Sequence, residues 1–156
     1  MELLAWKFRV STLWIFLGVG TLAAMFAMVM PSDVLGEYLA TGEVEGEKID
    51  ATLLAVMVLL FCVLPLAMAF VTMALRDPVN RYANATLGAV ATVMWVWDLA
   101  EHASNGLGIG ALLTVTLIIA GLLIVWHAWK WPKPAEQDVR DRRPASRPEH
   151  RAAGTV

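Results

Sequence analysis

The sequence predicts an all-α fold, a bundle of four transmembrane helices with both termini in the cytoplasm. Its 156 residues are 58% hydrophobic and only 17% charged, with a mean hydropathy of +0.62. This is too apolar for an ordinary soluble domain of that length. The charged residues are clustered, and four long apolar runs lie between the clusters. Each run is close to the ~20 residues that a helix needs to cross the hydrocarbon core.

The apolar runs define the domain organisation. They predict spans over about 10–30, 51–75, 79–103 and 107–129, which together form a transmembrane domain of residues 1–132. The first run is longer than the hydrophobic region of a signal peptide and lacks a small-residue cleavage site, so we expect it to be retained. Residues 133–156 are rich in Pro, Arg and Glu and predict a disordered cytoplasmic tail.

Lysine and arginine predict the orientation. Lys7 and Arg9 flank the first run, Arg76 and Arg81 lie between the second and third, and Lys130, Lys133 and five arginines follow the fourth. The opposite side carries six carboxylates and a single lysine, Lys48. The positive-inside rule therefore places both termini in the cytoplasm of a multi-pass protein of the cell membrane.

Capping and breaking residues support the predicted segment ends. We expect Pro31 to end the first helix and Gly42 to close a short amphipathic helix on the outer side. Asp50 is placed to cap the second span, and Asp77 precedes Pro78 as the cap of the third. Inside the second span, Pro65 removes a backbone donor and predicts a kink.

Tryptophans and small residues indicate how the bundle sits and packs. The tryptophans predict an aromatic belt at each interface: Trp6, Trp14, Trp126, Trp129 and Trp131 on the inner side, and Trp95 and Trp97 on the outer side. Small residues at helical spacing allow helices to approach closely: Gly20 with Ala24, Gly88 with Thr92, and Gly106 with Gly110 and Thr114. We favour packing within the bundle over a homodimer face for these seams.

The sequence argues against several enzyme classes. Cys62 is the only cysteine and lies within a span, which excludes an internal disulfide and paired-thiol redox chemistry. The sequence has no HxxxH, CxxC or HExxH pattern, so we predict neither a metal site nor a cofactor. We expect no catalytic residues, and we predict that the protein is not an enzyme.

One ionisable constellation lies on a span, in "VWDLAEHASNG" near the end of the third run. Glu101 and His102 follow Asp98 by three and four residues, which places all three side chains on roughly one helix face. We call these three residues the polar trio. They form a candidate proton or ion site, because a carboxylate beside an imidazole can relay protons or hold a cation. The alternative is an interfacial helix end in which Asp98 and His102 close the bundle.

Three segments carry a resemblance to a known family. "STLWIF" at residues 11–16, "NRYAN" at 80–84 and "WHAWKWP" at 126–132 resemble landmarks of a family of small bacterial four-helix membrane proteins of unknown function. That family is loosely similar in size and topology to the DoxX-like proteins. The resemblance covers about the first 130 residues and implies a fold and a topology, but no activity. It also implies structural roles at the cytoplasmic side for Arg81, Asn84 and Trp129.

Two classes of function remain open at the level of sequence. The first is a non-enzymatic accessory or scaffold protein of the membrane, with the lipid bilayer, a membrane protein partner or a second copy as its partners, and no nucleic acid. The alternative is a minimal proton- or cation-coupled transporter that uses Asp98 and His102. A redox enzyme with a bound quinone is a distant third.

Overall fold

The computed structural model describes residues 2–29, 32–44, 47–48, 50–105 and 108–132, and within them the chain is mainly helical. The helices are α1 (Glu2–Val29), α2 (Ser32–Thr41), α3 (Ala51–Val58), α4 (Leu64–Ala74), α5 (Asp77–Asn105) and α6 (Ile109–Trp129). A π-helical turn, Leu59–Val63, joins α3 to α4. Two short antiparallel strands, β1 (Glu43–Val44) and β2 (Glu47–Lys48), pair Glu43 with Lys48. The predicted tail lies outside the described residues.

Within the described residues, four long helical segments pack together, and we call each of them a rod and the whole the bundle. The first, third and fourth rods are α1, α5 and α6, and the second consists of α3 and α4 with the turn between them. Lys7 donates a hydrogen bond to the Leu75 carbonyl (2.8 Å), and Trp6 packs against His127 with 5.3 Å between ring centroids. The start of α1, the end of α4 and the end of α6 therefore lie together at one end of the bundle, which we call the termini end. The opposite end carries α2 and the two strands, and we call it the hairpin end.

The rods pack unequally. Helix α1 lies between α4 and α6, and α5 packs along α6. Helices α4 and α5 meet only over a short stretch, and in the described part of the chain no Cα of α3 lies within 8 Å of a Cα in another rod. The half of the second rod at the hairpin end therefore stands away from the rest, and a cleft separates it from α5.

The helix ends follow the capping signals with one difference. Gly42 has a positive φ of 74°, and its N–H donates to the Tyr38 carbonyl (2.8 Å), as expected for a glycine that closes a helix. The Asp50 carbonyl accepts a hydrogen bond from the Leu54 N–H (3.0 Å), which opens α3 as predicted. The prediction for Asp77 was wrong: it lies in the first turn of α5, and its Oδ1 is 3.2 Å from Lys7 Nζ. Residues 30–31 lie outside the described residues, although α1 does end at Val29.

The sequence predicts a kink at Pro65. The feature that the structure has next to this residue is the π-helical turn. The Leu64 N–H donates to the carbonyl of Leu59, five residues earlier, so this turn contains one residue more than an α-helical turn. Pro65 follows directly, within the first residues of α4, where its missing N–H is tolerated. The wide turn thus accommodates the proline without breaking the rod, and it marks the place where α3 departs from the bundle.

Two apolar clusters form the core. The larger lies toward the termini end and contains Val10, Trp14, Leu17, Met68, Ala69, Ala120, Ile124 and Trp131. The smaller lies toward the hairpin end and contains Ala24, Trp95 and Leu117. Three tryptophans that the sequence assigned to interfacial belts, Trp14, Trp95 and Trp131, are therefore buried core residues. Composition does not show which way a helix is rotated, and for this reason the belt assignment of these three was wrong.

The predicted small-residue seams pack inside the bundle. A Cβ on Gly20 would lie 2.8 Å from Leu117 Cδ2, and one on Gly88 would lie 2.9 Å from Ile124 Cγ2. Both distances are too short for ordinary contact, so the absence of a side chain is what lets α6 approach α1 and α5. Gly106, the first residue of the third seam, lies outside the described residues.

Within the described residues, three helical segments are long and apolar enough to cross a membrane: Leu3–Ala27, Leu54–Ala74 and Ile109–Trp129. Helix α5 is 29 residues long but is less apolar, because charged residues lie near both of its ends and Asn80 and Asn84 add polar side chains. The outward surface of the bundle is rich in large apolar side chains, among them Phe8, Phe70 and Leu112. Apolar surface of this extent is unfavourable in water and suits contact with lipid.

Candidate functional site

The cleft beside α3 contains a cavity of about 450 Å³ at the hairpin end of the bundle. All four rods contribute to its wall: α1 through Thr21 and Ala24, the second rod through Met57 and Phe61, α5 through the polar trio, and α6 through Thr114. Its size is in the range of small-molecule sites, which are mostly apolar with a few convergent polar groups. The polar trio therefore lies in the wall of a cavity, in addition to marking the end of a helix.

Asp98 is the centre of the polar contacts in this cavity. Its Oδ2 accepts a hydrogen bond from Thr114 Oγ1 on α6 (2.7 Å), and His102 Nε2 lies 3.6 Å from the same oxygen. Asp98 and His102 are both half-buried, and Glu101 is exposed. Among the described residues, Asp98 is hydrogen bonded through Oδ2 alone, so its second oxygen remains available to a ligand.

Gly110 allows the imidazole to occupy its position. A Cβ at this residue would lie 3.0 Å from Cε1 of His102 and 3.2 Å from Nε2. The ring thus lies directly against the backbone of α6 where that helix has no side chain. The seam that the sequence attributed to helix packing also positions part of the polar trio.

Aromatic side chains form the floor of the cavity. Phe61 of the π-helical turn and Trp95 of α5 meet edge to face, with 5.4 Å between their ring centroids. Trp95 is buried, whereas Trp97, which also lines the cavity, is largely exposed. Phe61 and Trp95 connect the second rod to α5 at the point where the cleft narrows.

An apolar groove continues from this floor toward the middle of the bundle. A second cavity, of about 110 Å³, shares Phe61, Met94 and Trp95 with the first and extends to Leu87 and Pro65. Because the wall residues are shared, the two cavities lie next to each other between the second rod and α5. We call the whole feature the α3–α5 groove.

A buried polar cluster closes the termini half of the bundle. Asn84 Oδ1 accepts hydrogen bonds from Trp14 Nε1 (2.5 Å) and Thr72 Oγ1 (3.0 Å), and Asn84 Nδ2 donates to Asn80 Oδ1 (2.7 Å). Asn80 Nδ2 in turn donates to the Thr72 carbonyl (2.6 Å). We call these four residues the asparagine network. It joins α1, α4 and α5, and every one of its polar groups has a partner.

The residues implied by the family resemblance occupy different environments. Asn84 is fully buried in the asparagine network. Arg81 lies over the ring of Tyr82 at 5.9 Å, at the surface of the termini end. Trp129 is 72% exposed, whereas Trp131, two residues later, is only 3% exposed and belongs to the core. The buried tryptophan of the "WHAWKWP" segment is therefore Trp131.

Asp98 and His102 lie 3.6 Å apart and Glu101 lines the same cavity, but sequence reasoning missed the surroundings of the polar trio. The spacing of Asp98 and His102 on one helix shows that they are neighbours, whereas the Thr114 contact depends on the register between two helices. Asn80 was also missed, although its spacing of four residues from Asn84 within a helix is a signal that points to it. No group of three His, Cys, Asp or Glu side chains in the described part of the chain is placed to hold a metal ion.

Fold and site together define a helical protein with three membrane-compatible helices and an apolar cavity with a polar end. A family model described as a family of unknown function, DUF6326, matches residues 2–137, and the chain belongs to this family. No curated protein and no solved structure matches the chain.

Proposed function

We propose that the chain is an integral protein of the cell membrane with four spans and both termini in the cytoplasm. Helix α5 supports the fourth span, because it packs along the apolar helix α6 and its 29 residues extend for about 43 Å. Charge supports the orientation, since Lys7, Arg76 and Lys130 all lie near the termini end. A bacterial origin and the likeness to DoxX-like proteins in size and topology belong to the same proposal.

The proposed role is that of a non-enzymatic accessory protein that binds other molecules within the membrane. One observation carries this proposal: the α3–α5 groove is open at the hairpin half, while the asparagine network and the larger core cluster close the termini half. Such one-sided access suits the binding of a molecule that enters the groove from the hairpin half. A membrane protein or a second copy of the chain is the proposed macromolecular partner.

Purification from its own membranes tests the accessory role. We expect the tagged chain, extracted in a mild detergent, to retain a membrane protein partner or a second copy of itself in stoichiometric amount. An unrelated four-span protein with the same tag serves as the control. Recovery of a monomer with no stoichiometric partner, at several detergent strengths, would contradict the accessory role.

A minimal proton- or cation-coupled transporter is the second candidate. The observation that favours it is the π-helical turn, which lies beside the cavity at Phe61 and gives the second rod a hinge next to Asp98. Movement of α3 about this turn would change access to the polar trio.

Flux measurements decide between the two candidates. For a transporter, liposomes containing the purified protein should take up protons or cations, Asp98→Asn should abolish the uptake, and Glu43→Gln should leave it intact. The second variant removes a carboxylate from the same end of the bundle but outside the cavity. Absence of flux for every gradient applied favours the accessory role.

A further inference from the structure

The α3–α5 groove has a polar end and an apolar remainder, which indicates a ligand with one polar and one apolar part. We propose that the groove binds a lipophilic cation: an ammonium head group at Asp98 and Glu101, with an alkyl chain along α5. The inference rests on the proposed function and deepens it, because it names the class of molecule that the accessory protein holds.

Charge selects the head group. Among the described residues, the ionisable ones that line the cavity are those of the polar trio, two carboxylates and one imidazole, and neither lysine nor arginine is among them. Acidic groups therefore outnumber basic ones in the described lining. The hairpin end repeats this sign, since its segment 32–50 holds six carboxylates and one lysine. A cation is therefore attracted to this end and an anion is repelled.

Local geometry provides the contacts for such a head group. Thr114 and His102 both lie at Oδ2 of Asp98, which leaves the other carboxylate oxygen to pair with a ligand. The aromatic walls, including Trp95 and Trp97, add ring faces that attract a cation once it is partly desolvated. A carboxylate together with aromatic rings is a favourable environment for an ammonium group, particularly a quaternary one.

The apolar body of the ligand follows from the continuation of the groove. From Asp98 down to Leu87, α5 covers eleven residues, or about 16 Å, and apolar side chains line this whole length on the side of the second rod. Met57 and Met94 line the first cavity, and their flexible side chains can adapt to chains of different shape. Because no Cα of α3 lies within 8 Å of a Cα in α5, the two helices leave room for an alkyl chain to enter sideways from the lipid.

Quenching of tryptophan fluorescence by brominated amphiphiles tests the proposal. The protein is placed in phosphatidylcholine nanodiscs and titrated with 12-bromododecyltrimethylammonium, 12-bromododecanol or 12-bromododecyl sulfate. Competition with unbrominated dodecyltrimethylammonium separates saturable binding in the groove from partitioning into the bilayer. We expect saturable quenching that this competitor reverses with the ammonium probe, much weaker binding of the alcohol, and none of the sulfate.

Matched variants locate the binding. Asp98→Asn should weaken binding of the ammonium probe about tenfold, the loss expected for one charge-assisted contact. Glu43→Gln removes one carboxylate outside the cavity and should leave binding within twofold. Met57→Phe narrows the cavity from the α3 side, where no Cα of α3 lies within 8 Å of another rod, adds no tryptophan to the readout, and should weaken binding of the ammonium probe several-fold.

Three outcomes would overturn the proposal. Equal saturable quenching by all three probes would show a groove that recognises alkyl chains without regard to charge. Equal weakening by Asp98→Asn and Glu43→Gln would show attraction to the acidic surface alone. A dimer whose partner occupies the groove, detected by crosslinking of a Val90→Cys variant made without Cys62, would show that a second copy is the occupant. None of these results affects the topology, and the third agrees with the accessory role, so the two proposals fail separately.

Discussion

Asn84 joins three helices through a single amide. Its oxygen accepts from α1 and α4 while its nitrogen donates within α5, so that no polar group of the side chain is left without a partner. In a membrane such contacts replace the hydrophobic effect as the force that holds helices together, although each one contributes modestly. The asparagine network therefore defines the closed half of the bundle.

A graded series of variants tests this role. Asn84→Leu preserves volume but removes the partners of Trp14 and Thr72, so we expect the free energy of unfolding to fall by about 2 kcal/mol. Thr72→Val removes one hydrogen bond and should cost about 1 kcal/mol. Thermal unfolding in detergent, followed by circular dichroism, measures both effects.

The control for this series is Thr116→Val. Thr116 is exposed and bonds only within its own helix, to the Leu113 carbonyl, so its replacement should change stability by less than about 0.5 kcal/mol. Equal losses for all three variants would mean that the network has no special share in stability.

At the level of elements, Gly88 sets the distance between α5 and α6. Two β-branched residues of α6, Ile124 and Val125, lie where its side chain would be. Gly88→Leu should therefore lower the free energy of unfolding by about 2 to 3 kcal/mol, because the neighbours have little freedom to move. Gly36→Leu is the matched control, since a Cβ at Gly36 in α2 meets nothing within 4 Å. A similar loss for both variants would contradict the packing argument.

Pro65 directly follows the π-helical turn at which α3 departs from the bundle. Pro65→Ala restores a backbone donor, which favours a regular helix over the π-helical turn and should bring α3 closer to α5. In a Cys62→Ala background, a Met57→Cys thiol should then react several-fold more slowly with N-ethylmaleimide. Ser104→Cys, exposed near the end of α5, should react at an unchanged rate. An unchanged rate at position 57 would show that the proline does not control the cleft.

Local sequence signals predicted where helices begin and end better than how the helices pack against one another. Gly42 and Asp50 mark helix ends through backbone chemistry that is local to the sequence, and both act as expected. Asp77 differs because a distant residue, Lys7, competes for its carboxylate. The departure of α3 from the bundle was not predicted. An apolar run has the same composition whether it faces lipid or packs against another helix, so the sequence does not show which of the two surrounds α3.

The residues of the candidate site also differ in whether the sequence alone could place them. Asp98 and His102 lie on one helix, so the sequence alone places them together. Thr114 and Phe61 reach the cavity from other helices, and their positions depend on helix rotation and register. The burial of Trp14 and Trp95 was missed for the same reason.

At the level of the whole molecule, the distribution of charge predicts the topology. In a Cys62→Ala background, Thr41→Cys should react with an impermeant maleimide added to intact cells, because it lies at the acidic hairpin end. Val79→Cys lies at the start of α5, at the termini end, and should react only after the membrane is permeabilised. Both positions are exposed.

The reverse labelling pattern would invert the molecule and place the α3–α5 groove on the cytoplasmic half. Labelling of both positions from outside would instead mean that an even number of spans, and not one, lies between them. Either result would contradict the proposed topology while leaving the helix packing as described.

The π-helical turn also sets the angular phase of α3. One additional residue in a turn rotates everything before it by about 100° relative to a continuous α-helix. The number of residues in Leu59–Val63 therefore determines which side of α3 faces the cavity, and with it the position of Met57 in the cavity wall. A deletion of one residue in this segment would turn a different side of α3 toward Asp98 while α4 kept its place against α1. A chain built in this way can change the specificity of its groove by a change in length, without substituting a single residue of the wall.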